Sequence, residues 1–220
     1  MRLYIVLLTL MCCFTQAKET PVLKIVAPEE AKIIQGAINN VSMAYQNLGI
    51  NIDVVYLPAQ RAIAEAQKNT WVDAELFRIE SASNVLPQFI KVPTKLFEMD
   101  VIVYSTNRSI TLDGWISLKN YRLATMRGLI HVKQRIEEFD LTDTQFVTSA
   151  QQLVSLLLLD RVDLVVLPRI MGNKYFPANS VGKFQETLIE KVSIYHFLHK
   201  RHQQLVTPLA AELSALLVEN

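Results

Sequence analysis

The stretch LPAQRAIAEAQKNTWVDAELFR, residues 57–78, decides how this chain is organised. Pro58 stands where a helix would begin, and its fixed φ angle suits the first helical turn. Apolar residues then recur at helical spacing at Ala62, Ile63 and Ala66. The first half of the stretch is therefore predicted to form a turn followed by a short helix.

The second half of the stretch has the pattern of a strand. Apolar residues alternate with acidic ones from residue 72 to residue 76, as on a half-buried strand. The charged residues Arg61, Glu75 and Arg78 then lie near the ends of packed elements, where α/β proteins bind ligands. Two interpretations stay open: the three charges line a binding site, or the two arginines pair with Glu75 and brace the fold.

The N-terminus predicts an exported protein. Arg2 provides a positive charge, residues 3–14 form an apolar run, and Thr15-Gln16-Ala17 has small residues where a signal peptidase recognises them. We assign residues 1–17 to a signal peptide, because the apolar run is too short for a stable membrane span. Both cysteines lie within this segment, so we expect no disulfide and no thiol chemistry in the mature chain.

The mature chain is electrically balanced. Of the 22 lysines and arginines, only Arg2 lies in the predicted signal peptide, which leaves 21 basic residues against 21 acidic ones. This balance predicts no footprint for nucleic acid or for a membrane surface. No later stretch of the sequence is long and apolar enough to span a bilayer. We therefore expect a soluble, exported protein that is long enough to bury a sizeable core.

Strand and helix patterns alternate twice along the chain. A first β-α-β-α-β series covers residues 23–76 and a second covers residues 122–167, which implies parallel sheets with crossover helices. The polar run at residues 105–109 is interpreted as a change of lobe. Residues 88–98 are predicted to be less regular, and residues 171–190 to be mostly loop.

Local signals mark the ends of several elements. Gly49 is a C-cap candidate for the first helix, and Ser149 is an N-cap candidate in the second series. A final apolar strand is predicted over residues 192–198, and a closing helix within residues 203–218. Thr207-Pro208 is either the start of that helix or a kink in it.

The order of these motifs resembles the extracytoplasmic solute-binding proteins of the amino-acid-binding type, in a divergent bacterial branch. The matching motifs are, in chain order, Arg61-Ala62, residues 73–78, Met126-Arg127-Gly128, residues 162–166, residues 195–200 and the closing helix over residues 205–217. The resemblance covers essentially the whole mature chain. It implies an α/β fold of the type II periplasmic-binding-protein kind, in which two lobes, each a mostly parallel sheet flanked by helices, are joined by two crossover strands.

The resemblance also implies lobe boundaries and a way of holding a ligand. Lobe 1 would comprise residues 18–104 plus 197–220, and lobe 2 residues 105–196. In this family a ligand lies between lobes that close by hinge motion, and an arginine and a helix N-terminus hold its carboxylate. The matching backbone here is Arg127-Gly128-Leu129, where glycine lets the main chain approach the ligand. An ordinary strand-to-helix turn is the alternative interpretation.

The chain departs from binders of α-amino acids at three places. One is the third-strand motif, where their usual glycine is replaced by Ala74. Where those proteins usually carry an acidic residue after the last strand of lobe 2, this chain has Leu167-Pro168-Arg169. Where they usually carry an aromatic residue after the first strand, it has Glu29-Glu30. We therefore expect a small polar or anionic organic ligand. The predicted ligand-binding residues are Arg61, Glu75, Arg78, Tyr104, Arg127, Gly128 and Arg169.

As a function, the resemblance implies a periplasmic solute-binding protein that serves an ABC-type membrane permease. We expect a monomer without catalysis, cofactor or metal, and with no nucleic-acid partner and no membrane insertion after signal cleavage. Two alternatives stay open. One is a dehydratase-like lyase on the same fold, with Glu75 as general acid or base. The other is a degenerate member that acts as an accessory or sensor protein.

Three histidines near the end of the chain do not predict a metal site. His196, His199 and His202 are spaced at three residues, but the run straddles a predicted strand-to-helix junction, so the side chains would not share a face. We expect them to pack and to form hydrogen bonds where the chain re-enters lobe 1.

Overall fold

The computed structural model describes residues 22–176 and 184–218. Its strands and helices are β1 Leu23–Pro28, α1 Gln35–Asn47, β2 Ile52–Leu57, α2 Ala59–Gln67, β3 Ala74–Ile79, β4 Phe89–Ser105, β5 Leu123–Met126, α3 Ile130–Glu138, β6 Thr144–Val147, α4 Ala150–Leu158, β7 Leu164–Pro168, α5 Arg169–Tyr175, β8 Gln185–His199 and α6 Val206–Val218. Short 3-10 helices cover Glu29–Ile33, Glu80–Asn84, Trp115–Asn120 and Lys200–Leu205. The predicted signal peptide lies outside the described residues, as do residues 177–183 of the predicted loop.

The eight strands form one sheet in the order β2-β1-β3-β8-β4-β7-β5-β6. β1 is parallel to β2 and β3 at one end of the sheet, and β5 is parallel to β6 and β7 at the other end. We call β1–β3 with α1, α2 and α6 the first lobe, and β5–β7 with α3–α5 the second lobe. The two β-α-β-α-β series thus fold as the sequence predicts.

The two longest strands join the lobes. β4 has 17 residues and β8 has 15, and they pair antiparallel along their length with three shifts of register. β8 also pairs with β3 of the first lobe over residues 194–198, and β4 pairs with β7 of the second lobe over residues 101–104. The predicted lobe boundaries, after residues 104 and 196, fall within these two crossover strands and stay predictions.

Capping residues act where the sequence predicts them. Ser149 caps α4 by accepting a hydrogen bond from the backbone N–H of Gln152, whose side chain in turn accepts one from the N–H of Ser149. Gly49 follows α1 with a φ angle of +71°, a conformation that favours glycine. Pro208 lies within the first turn of α6, so the Thr207-Pro208 pair marks a helix start.

Two predictions of irregular structure are wrong. Residues 89–98 belong to β4, where Pro93 lies within the shift of register between Lys91 and Lys95. The predicted loop at residues 171–190 is wrong at both ends: residues 169–175 form the helix α5, although Gly172 lies in its middle, and residues 185–190 belong to β8. A Cβ atom at Gly172 would lie 1.8 Å from the hydroxyl oxygen of Tyr104, so the fully buried tyrosine ring requires glycine there.

The apolar core continues through both lobes. In the first lobe, Leu209 and Leu213 of α6 are fully buried, and α6 packs on β4 and α1. In the second lobe, Leu153 and Leu157 of α4 are fully buried in the cluster that also holds Tyr104. Within the part of the chain that the structure describes, no helix has the length and apolar character needed to cross a membrane.

Candidate functional site

A cavity of about 140 Å³ lies between the two lobes. The first lobe contributes the 3-10 helix Glu29–Ile33 and the end of β3, and the second lobe contributes the turns that follow β5 and β7. Residues of the crossover strands β4 and β8 also line it. Most of the lining is apolar and includes Ala31, Phe77, Phe97, Met126, Met171 and Ile194. A few polar side chains on this apolar wall therefore determine which ligands the cavity can hold.

Arg78 is a buried cation in the wall of this cavity. It stands near the end of β3, its side chain is only 9% exposed, and its Nη2 lies 2.9 Å from Oε2 of Glu75. Glu75 is fully buried and does not line the cavity. Burial raises the pKa of Glu75 to about 7, although the positive charge of Arg78 opposes this rise.

The guanidinium of Arg78 has hydrogen-bonding capacity to spare. No described residue accepts a hydrogen bond from its buried Nε. Because an unpaired buried donor costs about 1–3 kcal/mol, this group is suited to pair with an anion that enters the cavity. The ion pair with Glu75 limits the movement of the guanidinium.

The turn before α3 faces Arg78 across the cavity. Arg127 and Gly128 both line it, and Arg127 is exposed to solvent. The backbone N–H of Arg127 already donates to the carbonyl of Val147 at 2.9 Å. No side chain caps the N-terminus of α3. The N–H of Ile130 donates to the carbonyl of Gly128 at 3.0 Å, and the other N–H groups of the first turn are available to an acceptor.

Gly128 also brings the lobes together. Its φ angle is +89°, and a Cβ atom there would lie 2.7 Å from Cβ of Ala59 and 3.3 Å from the backbone nitrogen of Gln60, at the start of α2. A second contact between the lobes is the hydrogen bond from Ser81 Oγ to Gln134 Oε1, at 2.7 Å. The structure is therefore a closed arrangement in which the lobes touch beside the cavity.

Two polar residues of the cavity were not predicted from the sequence. Glu30 lines it from the 3-10 helix, and its Oε2 is buried without a hydrogen-bond partner among the described residues. His131 lines it from α3, and its Nε2 lies 2.8 Å from Oε2 of Glu190. The available signals were the Glu29-Glu30 pair in place of an aromatic residue and the position of His131 just after the Arg127-Gly128 turn.

Glu190 anchors His131 to a crossover strand. Its Oε2 also accepts hydrogen bonds from Trp115 Nε1 at 2.8 Å and from Arg135 Nε at 3.1 Å. Although burial raises it, these hydrogen bonds, above all that from Arg135, hold the pKa of Glu190 below its ordinary value. The carboxylate therefore stays ionised and keeps the imidazole of His131 at the edge of the cavity.

The remaining predicted site residues lie away from the cavity. Arg61 has a side chain that is 69% exposed, and its nearest carboxylate contact is Glu65 at 4.0 Å. Arg169 pairs with Asp100 at 3.0 Å and with Glu186 at 2.6 Å.

Tyr104 stacks on Phe176 inside the second lobe, with ring centroids 4.5 Å apart. The structure thus brings Arg78, Arg127 and Gly128 to the lining of one cavity, and Glu75 pairs with Arg78. It does not bring Arg61, Tyr104 or Arg169 to the same place. The ligand-binding roles of all seven residues stay predictions.

The three late histidines have other partners. His196 is fully buried and lies 2.8 Å from the hydroxyl of Tyr45, and burial lowers its pKa to about 4. His199 forms a hydrogen bond with Asn69, and His202 lies 2.7 Å from Asp73. In residues 22–176 and 184–218 no three potential metal-ligating side chains are grouped as a metal site would need.

Comparison with known proteins gives one sequence relative and many structural ones. No family model matches the chain. An uncharacterized protein from Shewanella oneidensis is 28% identical over 188 residues, which are 79% of this chain and 67% of that protein.

The solved structures resemble the whole fold at low sequence identity. The ligand-binding core of GluR0 in complex with L-glutamate has a TM-score of 0.74 and 14% identity, over 91% of this chain and 94% of that one. A histidine kinase sensor domain with similarity to periplasmic binding proteins has a TM-score of 0.72 and 13% identity, over 89% of this chain and 90% of that one.

An ABC uptake transporter substrate-binding protein from Streptococcus pneumoniae with bound histidine has a TM-score of 0.68 and 12% identity, over 89% of this chain and 86% of that one. At such identities these likenesses concern the fold, and they agree with the sheet order and crossover strands described above. The chain has the two-lobed α/β fold of the type II periplasmic binding proteins.

Proposed function

We propose that this protein is an extracytoplasmic solute-binding protein that captures a small organic carboxylate between its lobes and does not transform it. The observation that carries the proposal is the buried guanidinium of Arg78, which has a free Nε and faces the uncapped N-terminus of α3 across an apolar cavity. A carboxylate in that space would accept hydrogen bonds from both. Solved proteins of the same fold are described with bound arginine, histidine or L-glutamate, which supports this use of the cleft.

Charge also favours an anion at this position. Arg78 has Glu75 as its buried partner, but burial raises the pKa of that carboxyl to about 7, so near neutral pH it is only partly ionised. A buried cation with an incomplete counter-charge is costly, and a carboxylate ligand would remove that cost. Glu75 would then position Arg78 without itself touching the ligand.

The lyase alternative has less support from the geometry. It needs a carboxyl group with a perturbed pKa in contact with the substrate. Glu75 has such a pKa but does not line the cavity. Binding without catalysis is therefore the better account of these residues.

The proposed location and partners follow from the resemblance of the sequence and from the fold. The predicted signal peptide at residues 1–17 would deliver the chain to the periplasm, where a monomer would pass its ligand to an ABC-type permease. One of the structural relatives is a histidine kinase sensor domain, which makes a role in signalling the second candidate. Both roles use the same ligand-binding cleft.

A thermal-shift screen of the purified mature protein tests the proposal. The compounds should include amino acids, hydroxy acids, dicarboxylates and simple carboxylates. A true ligand at a hundredfold excess over its Kd should stabilise the protein by about 2.7 kcal/mol. If no compound raises the melting temperature, the proposed function is wrong.

A variant then connects binding to Arg78. Arg78→Ala alone would leave Glu75 buried and unpaired, so the double variant Glu75→Gln/Arg78→Met, which removes both charges, is the better choice. We expect it to fold and to lose at least tenfold in affinity for the ligand. Arg161→Ala, at an exposed arginine outside the cavity, is the matched control and should bind normally. Normal affinity in the folded double variant would contradict the proposal.

A further inference from the structure

Glu30 gives the cavity an acidic group in addition to its two arginines. Glu30 lines the cavity from the 3-10 helix Glu29–Ile33, and no described residue donates a hydrogen bond to its buried Oε2. It forms no ion pair with Arg78 or Arg127, the two arginines of the same cavity, in the closed arrangement. Its neighbour Glu29 is exposed and does not line the cavity, so the feature belongs to Glu30 alone.

A buried carboxylate oxygen needs a donor. Leaving such an acceptor unpaired costs about 1–3 kcal/mol, and more when the group is charged. Most of the cavity lining is apolar, and its donor-bearing side chains, Arg78, Arg127 and His131, do not donate to this oxygen. A molecule in the cavity is therefore the natural source of the missing hydrogen bond.

Together, the guanidinium of Arg78 and the carboxylate of Glu30 exclude some ligands. A dicarboxylate or an inorganic dianion would bring a second negative charge toward Glu30 and would be repelled. A large ligand would not fit, because the cavity of about 140 Å³ is close to the size of a cavity of about 150 Å³ that holds benzene. The apolar wall favours a body such as a phenyl ring or a branched chain of four or five carbon atoms.

We propose that the cavity takes a small monocarboxylate whose apolar body carries a hydroxyl or ammonium group, with the carboxylate at Arg78 and the donor group at Glu30. This inference rests on the proposed function and adds the class of ligand and the residue that selects it. Glu30 acts from the first lobe, on the 3-10 helix Glu29–Ile33.

Matched sets of ligands test this selection by isothermal titration calorimetry on the mature protein. One set is phenylacetate, mandelate and phenylglycine, and another is 4-methylpentanoate, 2-hydroxy-4-methylpentanoate and leucine. Within a set the body is constant and only the donor group changes. We expect at least one donor-bearing member to bind at least tenfold more tightly than the unsubstituted acid. Equal or tighter binding of the unsubstituted acids would overturn the inference while leaving the proposed function in place.

Variants of Glu30 assign the preference to this side chain. Glu30→Ala should reduce the preference for the donor-bearing ligand to less than threefold, while binding of the unsubstituted acid stays within threefold of wild type. Glu30→Gln, which keeps an acceptor but loses the charge, should weaken an ammonium ligand at least tenfold and a hydroxyl ligand less than threefold.

Glu29→Gln is the matched control and should change neither. A preference that survives Glu30→Ala would overturn the inference. If neither wild type nor any variant binds any of these acids, both the inference and the proposed function are wrong.

Discussion

Two fully buried titratable groups in neighbouring strands should give the stability of this protein opposite dependences on pH. Burial raises the pKa of Glu75 from 4.5 to about 7 and lowers the pKa of His196 from 6.5 to about 4. Glu75 stands on β3 and His196 on β8, which pair in the sheet. Each is more stable in its neutral form because charge is costly in the core.

The sign for Glu75 follows from the protons that each state binds. Below pH 4.5 both the folded and the unfolded states hold the proton, so the contribution of Glu75 is fully present. Between pH 4.5 and about 7 the unfolded state releases the proton and the folded state keeps it, so the free energy of unfolding falls as pH rises. At about 1.4 kcal/mol for each pH unit, the loss is about 3 kcal/mol.

Glu75→Gln isolates this contribution, because glutamine resembles the protonated carboxyl group and does not titrate. The stability of the variant minus that of wild type should therefore increase by about 3 kcal/mol from pH 4.5 to pH 7.5. Urea unfolding followed by circular dichroism at four pH values within this range measures the difference. Glu29→Gln, at an exposed carboxylate, is the control and should give a difference that varies by less than about 0.5 kcal/mol.

A constant difference between Glu75→Gln and wild type would refute the reasoning, because it would mean that the folded state does not hold the proton. A difference that decreases with pH would mean that Arg78 dominates over burial and keeps Glu75 ionised in the folded state. The measurement thus also decides how far Arg78 is neutralised before any ligand binds.

Three further predictions concern the fold and the cleft. As pH falls from 6.5 to 4, the free energy of unfolding of His196→Gln should rise by about 3 kcal/mol relative to that of wild type, because folded wild type keeps its buried imidazole neutral. Urea unfolding measures this difference, and a constant difference would show that the folded state does protonate His196. Gly128→Ala should weaken ligand binding at least tenfold in calorimetry, since its Cβ would meet Ala59. The control Gly49→Ala, at a similar positive φ with open space around it, should destabilise the fold without weakening binding, and equal affinities of the two variants would contradict the closed arrangement. Arg61→Ala should bind the ligand within twofold of wild type, because the side chain is exposed outside the cavity, and a tenfold loss would restore its predicted role.

The regular elements were predictable where local chemistry and tertiary packing agree. The strand β6 lies within the predicted second series, and the predicted N-cap Ser149 caps the next helix with the help of Gln152. Both lobes are built from such locally consistent units, so the order of strands and helices indicated the fold before any contact was known.

The elements that were missed depend on distant contacts. The first half of β4 carries charged residues such as Lys95 and Glu98, which are tolerated because that part of the crossover strand is partly exposed. α5 contains Gly172, a poor helix former, because Tyr104 from another strand fills the space that a side chain would need. Neither fact is available from the local sequence.

The candidate site was predicted only in part for a similar reason. The sequence places Arg78 and the Arg127-Gly128 turn near the ends of strands, where α/β proteins bind ligands, and both do line the cavity. The direction in which a charged side chain points depends on helix phase and on the neighbouring lobe. Arg61 therefore faces solvent, and Glu30, for which the sequence offered only the Glu29-Glu30 pair in place of an aromatic residue, lines the cavity.

The central claim is that a small carboxylate binds between the lobes at Arg78. A crystal structure of the protein with the compound that gives the largest thermal shift tests it most directly. The account predicts that the ligand fills the cavity, with its carboxylate within about 3 Å of the guanidinium of Arg78. A ligand bound outside this cavity, or one whose carboxylate points away from Arg78, would contradict it.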